Sequence, residues 1–278
     1  MPDTKLVLLG TGTPNADPDR MGPALAVVVD DRPYLVDFGP GVVRRAAAAE
    51  QQGIDALAVQ NLDIAFLTHL HSDHTTGFPD LIFTPWVLGR TRPLEVYGPP
   101  GSEAMTQHIL EAYQMDRGAR VCGFEPINAE AYGAVCHEIG PGKVYEDERV
   151  KVEAFSVEHG ESWLALGYQF TSADRRIVVS GDTAPKESLI DQWRGCDILV
   201  HEVYSHRAFQ KRSPKWQHYH SHMHTSTREL AEIARRVQPG KLVLTHLLLW
   251  GATEEELVAE IREGYSGEVI CGQDLGVY

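Results

Sequence analysis

Within FLTHLHSDHTTG, residues 66–77, three histidines and an aspartate fall inside six positions: His69, His71, Asp73 and His74. The apolar run IAFLT before them reads as a buried strand, so the polar cluster sits on the loop leaving its C-terminal end, where functional residues collect. While the chain stays extended, His69 and His71 point the same way and reach one ion. Asp73 and His74 follow as the chain turns, and face a second. Imidazole nitrogen and carboxylate oxygen are ligands of zinc and similar divalent ions, about four to each ion. The bland alternative is a polar turn with solvated histidines. A single His would favour that alternative, but an H-x-H-x-D-H cluster does not.

Four ligands do not complete two sites, and the rest of the chain offers three more in one recurring position. FSVEHG ends an apolar run with His159, IVVSGDT ends one with Asp182, and KLVLTHL ends one with His246. Singly, either histidine is a core residue and the aspartate a turn residue before Thr183. Their shared placement at strand ends favours ligation, with one His completing each site and Asp182 bridging the two ions through its two oxygens.

The elements that must position these residues follow from the hydrophobic pattern. Strands are predicted at LVLLG, ALAVVVD, PYLVDF, IAFLT, LEVYG, VKVEAFSV, LALGYQF, RRIVVSGD, DILVHEV, KLVLTHL and EVICGQD. Helices are predicted at VVRRAAAAEQQ, SEAMTQHILEAYQM, KESLIDQW, TRELAEIARRV and EEELVAEIREGY, while FPDLIFTPWVLG stays unassigned. Mixed sheets packed together with helices outside fit this order better than a parallel βαβ repeat. A chain of 278 residues, 43% hydrophobic, can bury a sizeable core. No linker or low-complexity tract interrupts it, so one domain spanning 1–278 is expected.

Bulk properties bear on location and partners. There is no basic and apolar leader before LVLLGTG, and no apolar stretch approaches the roughly eighteen residues of a spanning helix. Membrane and secretion are disfavoured. Cys122, Cys136, Cys196 and Cys271 form no C-x-x-C pair. Buried free thiols are expected ahead of a Cys122–Cys136 disulfide, which points to the cytoplasm. With 25 basic residues against 39 acidic, a net charge of −14 and no large Lys/Arg cluster, a partner made of many phosphates is not expected.

The ligand set His69, His71, Asp73, His74, His159, Asp182 and His246, in that chain order, resembles that of the metallo-β-lactamase superfamily. LLGTGTP, LVDFGPG, LEVYGPPG, SGDT, HEVY and HTST are similar to motifs of its ribonuclease Z and arylsulfatase-like branch. The resemblance implies an αββα sandwich of the α/β class, two mixed β-sheets with helices on the outer faces. It implies two divalent metal ions as well, usually Zn2+, with Mn2+ or Fe2+ allowed by the ligand types. Dimers are common in the family, which allows a homodimer here. Glu202 of HEVY and His224 of HTST match a Glu and a His that assist proton delivery to the leaving group. Asp73 counts among both the ligands and the catalytic groups. For His218, His220 and His222 a solvated position before a helix N-cap weighs as much as any function, and Asp37 is read as a turn residue near the site.

Two such ions lower the pKa of a water between them from about 16 towards 7 and polarise the substrate oxygen. Hydrolysis of an ester bond is the expected reaction, with a metal-bridging hydroxide as nucleophile. The family's tRNA-gripping arm lies between the positions of His159 and Asp182, and here only the 22 residues 160–181 separate them. THLLLWG also departs from the ribonuclease Z pattern after the last ligand, and suggests an apolar wall, to which Trp86 and Trp163 could add. The expected substrate is therefore a small-molecule phosphate, sulfate or related ester, in the manner of an arylsulfatase or phosphodiesterase. A ribonuclease Z-type tRNA 3′ endonuclease and a non-catalytic metal-binding module are the alternatives.

Overall fold

The structure, a computed structural model, describes residues 3–278. Contacts divide the chain into two compact units. One holds the chain up to Gly10, Ala16–Ile139 and Asp274–Tyr278, and the other Thr11–Asn15 and Gly140–Gln273.

In the first unit six strands form one sheet in chain order: β1 (Thr4–Gly10), β2 (Ala24–Val29), β3 (Arg32–Val36), β4 (Ile64–Phe66), β5 (Leu94–Gly98) and β6 (Ala134–Glu138). β1 to β3 pair antiparallel, and β3 to β6 pair parallel. Its helices are α1 (Val42–Gln51), α2 (Ser72–Thr75), α3 (Phe78–Val87), α4 (Ser102–Ala112) and α5 (Gln114–Val121). Val7, Leu35, Phe38, Leu67, Phe78, Leu81 and Trp86 share one buried core. The unassigned FPDLIFTPWVLG is α3. Phe78, Leu81, Ile82 and Trp86 give it an apolar face at helical spacing, and a proline in its first turn suits the helix start.

The second unit holds a seven-stranded sheet ordered β13-β12-β11-β10-β9-β8-β7. Its strands are β7 (Gly142–Glu146), β8 (Lys151–Ser156), β9 (Leu166–Thr171), β10 (Arg176–Val179), β11 (Ile198–Tyr204), β12 (Lys241–Leu248) and β13 (Val269–Cys271). β7 to β10 pair antiparallel and β10 to β13 parallel. The helices are α6 (Ile190–Trp193), α7 (His206–Phe209), α8 (Pro214–Met223), α9 (Thr227–Val237) and α10 (Glu254–Arg262). Capping boxes start α9, through Ser226 and Glu229, and α10, through Thr253 and Glu256. A separate core joins Phe155, Val178, Trp193, Leu199, Leu230, Leu244 and Leu257.

Two mixed β-sheets with helices, an α/β protein, agree with the expected class. β6, β7, α2, α5, α7 and α8 are not among the elements that the sequence pattern predicts. β6 and β7 are edge strands with half-exposed side chains, so neither carries the apolar alternation of a buried strand. α8 buries only His220 and has no apolar stripe to read. The four thiols are free, and only Cys196 is buried. The alternative Cys122–Cys136 disulfide does not form, and Cys122 is exposed. Among the described residues no helix is long and apolar enough to cross a membrane.

Candidate metal centre

In the first unit the candidate ligands occupy the link from β4 into α2. His69 Nε2 and His71 Nδ1 are 2.8 Å apart, and the His74 ring centroid is 4.2 Å from that of His69. His74 Nε2 lies 3.5 Å from Asp73 Oδ2. His69, Asp73 and His74 are buried. The predicted quartet is therefore one local cluster of ligand atoms.

Asp37, just past β3 with φ 59°, holds that cluster. Its Oδ2 accepts from His74 Nδ1 at 2.7 Å. Its carboxylate accepts the Thr68 backbone N–H at 2.8 Å and the Thr68 hydroxyl at 2.9 Å. Since that hydroxyl donates to Asp37, its oxygen accepts from His69 Nδ1, 3.0 Å away. One buried carboxylate thus fixes the tautomers of two histidines, directing the Nε2 lone pairs of His69 and His74 away from their Nδ1 partners. By sequence alone Asp37 reads as a turn residue. No local pattern announces a contact between positions 37 and 74.

In the second unit His159 follows β8, Asp182 follows β10, and Glu202 and His246 lie within β11 and β12. His159 Nδ1–H donates to the Met223 carbonyl at 2.7 Å, and Asp182 Oδ2 is 3.9 Å from His159 Nε2 and 3.3 Å from His246 Nε2. The pairing of β11 with β12 shifts at this point: Glu202 opposes Thr245 and Val203 opposes Leu247. His246 is the extra residue, with φ 46°. A bulge of this kind re-aims a side chain beside a site, at the cost of placing a non-glycine residue in the left-handed region.

His224 lies beside this group. Its ring centroid is 5.2 Å from that of His159 and 5.7 Å from that of His246. Its Nδ1–H donates to Glu202 Oε1 at 3.2 Å. The same oxygen accepts the Thr183 and Thr225 N–H groups, each at 3.1 Å. Burial and the Asp182 carboxylate push Glu202 well above the usual carboxylate range, while His246 and the two threonine N–H groups pull the other way. His159, Asp182 and His224 offer ligand atoms within 4.8 Å of one another, as do Glu202, His224 and His246.

The donor types and the carboxylate and carbonyl partners on the outer ring nitrogens fit divalent metal binding, where such partners set the tautomer. Four of the expected residues gather in the first unit and five, Glu202 and His224 among them, in the second. His218 and His222 are exposed, whereas His220 is buried. It packs between Trp216 and Trp250. Trp86 belongs to the first unit's core, its Nε1–H donating to the Asn128 carbonyl, and lines no site.

Residues 32–247, which run through both units, match the model of the beta-lactamase superfamily domain. The chain belongs to the metallo-β-lactamase superfamily. It is 34% identical over 280 residues to the Ribonuclease Z of Mycobacterium bovis, covering 98% of this chain and 96% of that protein. Among solved structures it is similar to the metallo-β-lactamase fold protein YhfI from Bacillus subtilis, with a TM-score of 0.75 at 19% identity over 99% of each chain. The short form of human tRNase Z gives 0.73 at 21%, covering 99% of this chain and 98% of that one. The metallo-β-lactamase fold is therefore shown, and the chain falls in the ribonuclease Z branch as a metal-dependent hydrolase of ester bonds.

This relation corrects the expected partner. A small-molecule ester, with nucleic acid not expected, does not fit a chain whose relative along nearly its whole length is named a ribonuclease. The charge argument failed because a net charge of −14 is a sum over the surface and says nothing of where the cations stand. The missing arm failed too. The mycobacterial alignment leaves only a few per cent of that protein unmatched, so it has no room for a long insertion beyond this chain's length.

Proposed function

We propose that the chain is a ribonuclease Z-type endonuclease acting at the 3′ side of tRNA, as one metallo-β-lactamase-like domain spanning 1–278. The observation that carries this reading is the 34% identity to a Ribonuclease Z along 98% of the chain. That identity favours the endonuclease over the arylsulfatase-like reading.

His69, His71, Asp73, His74, His159, Asp182 and His246 would hold two divalent ions, most suitably Zn2+. When bound, such ions supply Lewis acidity and a water of lowered pKa. The protein's own groups then act on the other side of the reaction. Glu202 keeps the Nδ1 proton of His224 in place, which leaves Nε2 to carry and deliver a proton to the departing oxygen. The Thr183 and Thr225 N–H groups fix Glu202 itself, so His224 is aimed by a network anchored in the backbone.

The test compares cleavage of pre-tRNA bearing a 3′ trailer with turnover of aryl phosphodiesters, sulfates and lactones, with zinc and with manganese. Site-specific cleavage of the pre-tRNA at a kcat/KM well above that of every small ester is expected. Turnover of small esters without any cleavage of pre-tRNA refutes the assignment.

A further inference from the structure

Between Glu202 and Glu229 the chain carries no carboxylate. Residues 203–228 contain Arg207, Lys211, Arg212, Lys215 and Arg228 but no Asp or Glu, in a protein with 39 acidic residues. α8 stands in this stretch with Lys215, Trp216 and Tyr219 exposed on it, Trp216 by 48%, and Lys211 is exposed on the segment that leads into it. Arg207 is paired with Glu263, whereas Lys211 and Lys215 project from the acid-free segment. The Arg212 guanidinium lies over Trp216 at 5.5 Å and over Trp250 at 5.1 Å. Trp216 meets Tyr219 edge to face at 5.7 Å and stacks on His220 at 5.5 Å. The His220 ring centroid lies 5.7 Å from that of His224, so a strip of π faces and cations leads from solvent to the proton-delivering histidine.

We propose that this face of α8 binds the single-stranded part of an RNA substrate, with bases stacked on Trp216 and Tyr219 and phosphates held by Lys211 and Lys215. The inference rests on the ribonuclease reading above. Exposed aromatic rings interleaved with cations are what an unpaired strand needs, since every base offers a π face and every linkage a charge. Paired bases in an A-form helix offer no such faces, which selects the single-stranded end over the stem. A protein partner suits the face poorly. Its remaining exposed residues, among them Gln210, His218 and Ser221, are polar, and the core of a protein interface is apolar.

The test follows cleavage of a labelled RNA hairpin with a single-stranded 3′ tail by the metal-loaded enzyme, comparing wild type with Trp216→Ala, Trp216→Phe and the double variant Lys211→Gln, Lys215→Gln. Trp216→Ala is expected to raise KM roughly tenfold, with the loss falling on KM rather than kcat, and Trp216→Phe to restore most of it because a ring remains. The double lysine variant should flatten the slope of log kcat/KM against log salt by about 1.4, or 0.7 for each lost contact to a single strand. Wild-type cleavage with KM and salt slope unmoved in all variants overturns this inference and leaves the ribonuclease reading intact. A wild type that cleaves no RNA overturns both. Unmoved RNA kinetics with loss of a concentration-dependent dimer in the same variants assigns the face to a second copy of the chain instead.

Discussion

Glu202 Oε1 stands 3.2 Å from His224 Nδ1 and accepts two backbone N–H groups as well, so the orientation of one histidine is tied to three chain segments. An acid held in this way contributes roughly 10²- to 10⁴-fold in rate, and more for a basic leaving group. His224→Ala is expected to slow esters of alkyl or unactivated leaving groups far more than nitrophenyl esters, with metal content unchanged. Equal losses across leaving groups would remove the acid role. Loss of metal would instead make His224 a ligand, which its spacing to His159 and Asp182 permits.

Glu202→Ala should behave differently from His224→Ala. It strips the acceptor from the buried N–H groups of Thr183 and Thr225, and an unmet buried donor costs about 1–3 kcal/mol. The Glu202 variant should therefore unfold at clearly lower urea concentration than wild type, while His224→Ala stays close to it. Matching midpoints for all three proteins would show that the N–H groups find other acceptors.

Asp37 offers a test of the other ligand cluster. It orients His74 directly and His69 through Thr68, and loss of such an outer partner typically lowers metal affinity about 10- to 100-fold. Chelator competition should show that drop for Asp37→Ala. Asp37→Asn, which suits the left-handed backbone and retains one acceptor oxygen, should fall between. Wild-type affinity in both variants would reduce Asp37 to a turn residue.

The contrast between Asp37 and His69 shows what was legible in the sequence. The gathering of the candidate ligands near strand ends could be read because apolar runs mark the strands and these residue types are rare together. The class of fold could be read for the same reason, since long buried strands such as ALAVVV declare themselves. Asp37, His220 and Arg90 could not, because their roles depend on contacts with residues or elements that no local period encodes. α8 escaped because its one buried residue, His220, packs on Trp216 and Trp250 and not within a stripe of aliphatic residues.

Arg90 is fully buried and donates to five carbonyls, those of Leu81, Ile82, Arg92, Ala131 and Gly133. It ties α3 to the approach to β6. Burial lowers its pKa to about 10, with Asp63 working against that, so it remains a cation at neutral pH. Arg90→Met leaves these carbonyls without their shared donor, and breaking a buried charged network costs roughly 3–5 kcal/mol. Lysine cannot reproduce the planar fork, so Arg90→Lys should recover little. A loss below about 1 kcal/mol in urea unfolding would mean that water serves these carbonyls equally well.

His201 lies in β11 and is fully buried. Its Nδ1–H donates to the Glu202 carbonyl, and its Nε2 has no hydrogen-bond partner. A second proton there would meet no acceptor, and burial lowers the pKa from 6.5 to about 4, against weaker raising by the Glu202 carbonyl and the Asp182 charge. The unfolded chain therefore binds more protons than the fold between those values, and stability must rise with pH across that window and fall as pH drops through it. Above about pH 6.5 both states are neutral and the contribution vanishes. From about pH 7.5 to pH 5 the wild type should lose about 2 kcal/mol through this residue alone. Other titrating groups act in the same range, so the decisive quantity is a difference between two proteins loaded with metal alike. His201→Asn keeps a donor in the Nδ1 position and removes the ionisation. Its stability relative to wild type should improve steadily with acidification below about pH 6.5, read from urea midpoints at matched pH. A constant offset between the two proteins would show that His201 takes up its proton as readily in the fold as in the unfolded chain.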